Sequence, residues 1–79
     1  MKPVLPDGWR YEAGPSRRQV VHVVWPDHGV VSVDFEHRSI AAGWCIPGPA
    51  LSNAKTYGGR GWKALLIEDA VQSLRAAWA

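Results

Sequence analysis

The sequence predicts an α+β fold in which one C-terminal helix packs on one face of a three-stranded antiparallel sheet. Two observations lead to this prediction. Residues 61–78 repeat apolar side chains with helical periodicity, and two runs rich in β-branched residues flank a Pro-Asp-His-Gly turn. With 79 residues, the chain is long enough for one layer on another around a single core. We therefore expect a single domain, residues 1–79.

The helix is predicted over about residues 61–78. When successive residues are placed about 100° apart, the apolar ones form a continuous stripe, which consists of Leu66, Ile67, Ala70, Val71, Leu74, Ala77 and Trp78. The opposite side carries Glu68, Gln72 and Arg75. An isolated helix of this length is marginal in water, so we expect the upstream strands to cover the stripe.

Three strands are predicted before the helix. The first, at about residues 9–12, follows the turn Pro6-Asp7-Gly8 and alternates large apolar with charged side chains. The second, residues 19–25, is rich in valine, as a strand covered on both faces would be. Residues 26–29 offer proline and glycine for a turn, so the third strand, residues 30–38, is expected to form a hairpin with the second.

The register of this hairpin predicts which side chains face the helix. A four-residue loop pairs Trp25 with Val30. Continuing the pairing across the first loop places Tyr11 beside Val20. The helix-facing side is then predicted to hold Trp9, Tyr11, Val20, His22, Val24, Val31, Val33 and Phe35. The outer side is predicted to hold Arg10, Glu12, Gln19, Val21, Val23, Trp25, Val30, Ser32, Asp34, Glu36 and Arg38. Self-association through Trp25 and this outer side stays open.

Residues 39–60 are predicted as a long irregular segment before the helix. Such a length in a small domain is typical of extra short structure or of a functional loop. The apolar part, residues 40–46, either adds a fourth strand at the sheet edge or folds beneath the sheet. Both alternatives stay open.

Composition narrows the class of protein. The five tryptophans bring large apolar areas, so some of them are expected near the surface. The net charge of +2 is too small to require a nucleic-acid partner. The single cysteine, Cys45, excludes an internal disulfide and suits a reducing compartment. No apolar run follows the first residues, so we expect neither a signal peptide nor a membrane span, and we predict a cytoplasmic protein.

A glycine-rich turn leads into the helix and is the first candidate site. Its sequence is Gly58-Gly59-Arg60-Gly61-Trp62-Lys63, which does not fit a P-loop. Free backbone N–H groups and the positive end of the helix dipole suit an anion, and Arg60 and Lys63 add positive charge. The alternative is that the glycines only form a tight turn and the basic side chains are solvated.

Trp62 and Leu65 are the second candidate, because they fall outside the apolar stripe. A tryptophan and a leucine three residues apart on the polar side of a helix are typical of a docking patch. The alternative is that the preceding segment folds over them, through Trp44 or Tyr57.

The titratable residues do not form a recognisable catalytic or metal-binding pattern. Cys45 could pair with one of two histidines, oriented by a carboxylate, and the residues concerned are His22, His37, Asp34 and Glu36. The candidate metal ligands are Asp27, His28, His37 and Cys45, whose spacing matches no known ligand set. We therefore predict no enzyme, no metal and no cofactor.

The beginning of the chain resembles methyl-CpG-binding domains. The resemblance rests on Leu5-Pro6-Asp7-Gly8-Trp9-Arg10, followed by a basic loop, a valine-rich strand and a Pro-x-x-Gly turn. It implies a three-stranded sheet whose exposed face lies in the major groove of DNA. Here the same face is predicted to carry Glu12, Asp34 and Glu36, which would repel phosphates. We therefore do not expect this mode of DNA binding, and the remainder of the loop and the helix depart from the family.

The end of the chain resembles small proteins of proteobacterial prophages. The resemblance rests on residues 57–63, Tyr-Gly-Gly-Arg-Gly-Trp-Lys, leading to Asp69-Ala70-Val71. That class includes DNA-binding accessory proteins and anti-CRISPR inhibitors, which are single domains of this size that occupy a surface of a Cas protein. The resemblance implies a cytoplasmic protein of phage or mobile-element origin that acts by binding.

These observations predict a small non-enzymatic docking or inhibitor protein, as a monomer or a homodimer. Its expected partner is a protein of a nucleic-acid-handling complex, such as a Cas subunit. The residues predicted to bind are Arg17, Arg18, Arg60, Trp62, Lys63 and Leu65. The alternative is direct nucleic-acid binding through the basic loops and the start of the helix.

Overall fold

The computed structural model describes residues 2–14, 19–45, 50–51 and 55–78, with the backbone alone at 50–51. Its elements are β1 (Arg10–Ala13), β2 (Val20–Trp25), β3 (Gly29–Asp34), β4 (Ser39–Cys45), β5 (Ala50–Leu51) and α1 (Trp62–Ala77). The strands form one antiparallel sheet in the order β1-β2-β3-β4-β5, and α1 packs on one face of it. The predicted α+β class with a C-terminal helix on one face is confirmed; β4 is the fourth strand that the prediction left open, and the two-residue β5 is added beyond it.

The helix begins one residue after its predicted start and ends one residue before its predicted end. Its buried side chains are Leu66, Ile67, Ala70, Val71 and Leu74. They pack against the strands because the apolar stripe and the sheet face remove each other from water. Ala77 and Trp78 were predicted on the stripe, but both are exposed. In the part of the chain that is described, no helix is long and apolar enough to cross a membrane.

The predicted register of the β2–β3 hairpin is wrong by one residue. Trp25 pairs with Gly29 and Val24 with Val30, because the loop has three residues and Asp27 takes a left-handed conformation with φ of 68°. A slip of one residue turns every side chain of a strand to the other face. The helix-facing residues of β2 are therefore Val21 and Val23, not the predicted Val20, His22 and Val24.

The first strand is also shifted from its predicted partner. Tyr11 pairs with Val23 rather than with Val20. Tyr11 still lies on the helix-facing side, because Val23 itself has moved to that side. The sheet's contribution to the core is Val21, Val23, Val31, Val33, Ile40 and Cys45.

The predicted third strand ends early. Residues 30–38 were predicted as one strand, but β3 stops at Asp34 and residues 35–38 form a turn into β4. The buried Asp34 carboxylate holds this turn: its Oδ1 accepts hydrogen bonds from the amides of Glu36 at 2.9 Å and His37 at 3.1 Å. Its Oδ2 lies 2.8 Å from Nδ1 of His37.

The segment of residues 39–60, predicted as irregular, contains strands. Residues 39–45 form β4, so the alternative of an added strand is the correct one. β4 pairs with β3 through a bulge between Ser32 and Val33, and the short β5 extends the sheet. Tyr57 then returns to the sheet, where its amide donates to the carbonyl of Arg38 at 2.8 Å.

Candidate functional site

Trp62, the first residue of α1, is half-buried where the helix meets the β3–β4 turn. Phe35 lies edge-on to its ring, with centroids 6.1 Å apart and planes 69° apart. The guanidinium carbon of Arg38 lies 4.7 Å from the Trp62 centroid, and Nζ of Lys63 lies 5.7 Å from it. The indole is therefore anchored on a partly buried aromatic ring and accompanied by two cations.

Two neighbours extend this surface. Leu65, one helical turn beyond Trp62, is 51% exposed, and Arg60 is exposed just before the helix. We define the Trp62 patch as Arg38, Arg60, Trp62, Lys63 and Leu65. Among the described residues, no ion pair joins any of the patch's cations to a carboxylate. An apolar centre is thus surrounded by positive charge that the described part of the fold does not neutralise.

The start of α1 adds to this positive potential. Gly61 is the N-cap, with φ of 77°, and provides no side-chain acceptor for the first amides of the helix. The first turn contains no acidic residue. Cations at this end oppose the helix dipole, so Arg60 and Lys63 do not stabilise the helix. An anionic group placed here would interact with the dipole and with both side chains.

The structure places four of the residues predicted to bind on one surface, namely Arg60, Trp62, Lys63 and Leu65. Tyr57 lies against α1 at Asp69, one helical turn beyond the 51% exposed Leu65. It is buried, and its hydroxyl donates to Oδ2 of Asp69 at 2.6 Å, which ties it to the flank of α1. Arg17 and Arg18, also predicted to bind, lie outside the described residues.

The sequence did not predict that Arg38 belongs to this surface or that Phe35 supports Trp62 from below. Both were assigned to a strand, in which they would alternate between faces, and the turn at residues 35–38 instead brings both to the start of α1. The available signal was Asp34, because an aspartate at a strand end often binds the amides of a following turn. The amides that it binds belong to Glu36 and His37, two and three residues further along the chain.

The residues of the imagined cysteine–histidine pair are far apart. Cys45 is buried on the helix-facing side, whereas His22 lies on the opposite face, where its Nδ1 is 2.6 Å from Oγ of Ser32. His37 lies in the turn before β4, and Cys45 ends that strand. The thiol therefore has neither imidazole within reach.

A group of ligand atoms does meet in the β3–β4 turn. Side-chain atoms of Asp34, Glu36 and His37 lie within 4.8 Å of one another. Both carboxylate oxygens of Asp34 are already hydrogen-bonded to this turn. Burial alone would raise the pKa of Asp34, but the hydrogen bonds from His37, the charge of His37 and the amide of Glu36 outweigh it and lower the pKa. The closeness of these three side chains is explained by the hydrogen bonds with which Asp34 holds the turn.

A groove runs between the N-terminal segment and α1, separate from the Trp62 patch. Its walls include residues 3–6 on one side and Ile67, Val71 and Arg75 on the other. Val4, at its rim, is 96% exposed. None of the residues of the Trp62 patch lines this groove.

No family model matches the chain, and no curated protein or solved structure was found to be significantly similar to it.

Proposed function

We propose that this chain is a non-enzymatic docking protein that binds an acidic and partly apolar protein surface through the Trp62 patch. The observation that carries the proposal is the arrangement of Arg38, Arg60 and Lys63 around Trp62 and the exposed Leu65. Tryptophan and arginine are the residues most often found at the energetic centres of protein interfaces. Trp62 is already held in place by Phe35 and Arg38, so little side-chain entropy would be lost on binding.

The partner we propose is a subunit of a nucleic-acid-handling complex, and a Cas subunit is the first to test. The resemblance of residues 57–63 to prophage proteins favours this class. Charge complementarity adds a physical constraint, because the partner surface must supply carboxylates opposite the cations of the patch, which form no ion pair within the described residues, and an apolar pocket for Leu65. The chain would act by occupying that surface.

Direct nucleic-acid binding through the same patch is the second candidate. The observation that favours it is the close interleaving of cations and aromatic rings, since Arg38 and Lys63 both lie over Trp62. Such surfaces bind phosphates through the cations and stack bases on the aromatic rings. Glu36, in the same turn as Arg38, and Asp69, one helical turn beyond Leu65, bring negative charge near the patch and make this candidate the weaker one.

Protein docking is tested with the matched variants Leu65→Gln and Ala76→Gln. Both positions are exposed on α1, and glutamine is a good helix former without charge. A partner retained from a nuclease-treated bacterial lysate would be purified, and its affinity for each variant measured by calorimetry. We expect Leu65→Gln to weaken binding by about tenfold and Ala76→Gln to leave it unchanged. Equal affinities for the two variants would remove the patch from the interface.

Nucleic-acid binding is tested by exchanging two charges. The double variant Arg60→Ala, Lys63→Ala is compared with Lys2→Ala, Arg75→Ala, which lowers the net charge equally at other places. If phosphates bind at the patch, only the first variant should lose phosphate contacts. The slope of log affinity against log salt concentration should then become shallower by about 2, because two cations have been removed. A salt-independent complex in a mobility-shift series would exclude this candidate.

A further inference from the structure

The face of the sheet opposite α1 carries two rows of side chains that run across the strands. The pairing register places Arg10, Val24, Val30 and Trp44 in one row and Glu12, His22, Ser32 and Ala42 in the next. Side chains alternate along a strand, and the intervening Val23 and Val31 belong to the core under α1. Both rows therefore point away from the helix. Val24 is only 6% exposed, so the accessible part of the first row is Arg10, Val30 and Trp44. We call these two rows the Trp44 face.

The rows differ in a regular way. The first is apolar and ends at Arg10, and the second is mostly polar and ends at Glu12. Arg10 and Glu12 form an exposed ion pair, with Nη2 of Arg10 2.7 Å from Oε2 of Glu12. On β4 the two rows end in the largest and the smallest side chains of the face, Trp44, which is 62% exposed, and Ala42.

We propose that the Trp44 face is the contact surface of a symmetric homodimer. A two-fold axis that lies between the rows and runs perpendicular to the strands places each row over the other row of the second copy. Arg10 of one protomer then faces Glu12 of the other, and Trp44 lies over Ala42. The ends of the two rows are thus complementary, in charge on β1 and in side-chain size on β4, and Val30 lies over Ser32 between them.

Other two-fold axes in the interface lack this complementarity. An axis along the apolar row would place Arg10 against Arg10 of the second copy. An axis parallel to the strands, between β2 and β3, would place Arg10 over Trp44 and Glu12 over Ala42 of the second copy, so that neither charge would meet an opposite charge across the interface. The proposed axis joins two Arg10–Glu12 pairs head to tail, so that each charge has an opposite charge in its own chain and another across the interface. Two sheets about 10 Å apart can pack in this way.

The association is expected to be weak. The rows cross four strands that lie about 4.8 Å apart and are separated by about 7 Å along each strand. Such a face is smaller than those of stable complexes. We therefore expect a dissociation constant on the order of 100 µM, which places the dimer within reach of sedimentation experiments.

The first measurement is sedimentation equilibrium of the full chain between about 10 µM and about 1 mM, around the expected dissociation constant. The average mass should rise from 8.7 kDa towards twice that value. A mass that stays at 8.7 kDa over this range overturns the proposal. A second result would also overturn it. If the chain stays monomeric and Trp44→Glu abolishes its binding to a different protein, the face is the binding surface for that protein and not for a second copy.

The axis is tested by charge exchange at positions that are exposed and therefore tolerant in the folded monomer. Glu12→Arg places like charges opposite each other and should raise the dissociation constant at least about tenfold. The double variant Arg10→Glu, Glu12→Arg restores opposite charges across the same axis and should recover the wild-type value. A double variant as weak as Glu12→Arg contradicts the proposed axis, because only a self-complementary face is rescued by the exchange.

The apolar part of the face is tested with Trp44→Glu and the control Val4→Glu. Both replace an exposed apolar side chain with a carboxylate, and Val4 lies outside the face. We expect no dimer of Trp44→Glu up to about 1 mM, an unchanged dissociation constant for Val4→Glu, and wild-type far-ultraviolet circular dichroism for both. An equal effect of the two changes overturns the proposal.

Discussion

Trp25 and His28 stack face to face, with ring centroids 3.8 Å apart and planes inclined by 8°. Trp9 stacks on Trp25 with a centroid distance of 4.9 Å. Trp78 meets His28 edge-on and donates its Nε1 hydrogen to the His28 carbonyl at 3.0 Å. This aromatic ladder joins the N-terminal segment, the β2–β3 turn and the end of α1. It gives three of the tryptophans a structural role away from both proposed interaction surfaces.

The ladder predicts that His28 stabilises the fold. His28→Ala removes a ring that contacts both Trp25 and Trp78, and we expect the free energy of unfolding to fall by about 1–2 kcal/mol. His28→Phe keeps a ring in place but loses the contact between Nδ1 and the Pro26 carbonyl at 2.9 Å, and should lose less. Urea denaturation followed by circular dichroism measures both. If the two variants are equally unstable, the stacking is not the cause.

The helix could be predicted because its buried residues recur with the helical period, a pattern that lies within one continuous segment of the sequence. The hairpin register could not, because Pro26-Asp27-His28-Gly29 suits a four-residue loop as well as the three-residue loop that forms. The choice depends on Asp27 accepting a left-handed conformation and on the stacking of Trp25 with His28. Since Val20 to Val24 are nearly all valines, either face of β2 would make a satisfactory core. The alternation of apolar and polar side chains along β2 therefore did not show which face of the strand packs under the helix.

The Trp62 patch was predicted in part. Arg60, Trp62, Lys63 and Leu65 are close in sequence, so helical geometry alone brings them together. Arg38 joins them through a tertiary contact that depends on where β3 ends. The position of Trp44 on an exposed face likewise depends on β4, a strand that the sequence left open. Contacts within one element could thus be predicted, and contacts between elements could not.

Asp34 predicts a specific acid sensitivity. Its pKa is lowered in the folded state, so its contribution to stability is present above the ordinary value of 3.8 and is lost as the pH falls through the lower folded value. Asp34→Asn should reduce the free energy of unfolding at pH 7 by about 1–3 kcal/mol, and the difference from wild type should shrink between about pH 5 and pH 2. Asp27→Asn, an exposed position, is the control. A difference for Asp34→Asn that is constant with pH would contradict the role of the charge.

Gly29 and Gly58 form a matched pair for substitution. A Cβ at Gly29 would overlap the carbonyl oxygen of Trp44 and lie 2.9 Å from the Cα of Cys45. Gly29→Ala must therefore separate β3 from β4, and we expect a loss of about 3 kcal/mol. A Cβ at Gly58 meets nothing within 4 Å, so Gly58→Ala should change stability by less than about 0.5 kcal/mol. Thermal unfolding of both variants measures the difference, and a tolerated Gly29→Ala would mean that the strands approach less closely.

Tyr57 predicts how strongly the segment before the helix is attached to it. Its ring is 4% exposed, and its hydroxyl bonds to the Asp69 carboxylate, which also lies 3.7 Å from Nζ of Lys55. Tyr57→Phe keeps the ring and removes the hydroxyl, so we expect a loss of about 1–2 kcal/mol, because the acceptor is charged. Tyr11→Phe is the control, since its hydroxyl bonds to the Pro3 carbonyl in a half-buried segment that water can reach. Hydrogen exchange should then show faster exchange of the Tyr57 amide in Tyr57→Phe alone. If that amide stays protected, its bond to Arg38 holds the segment without help from α1.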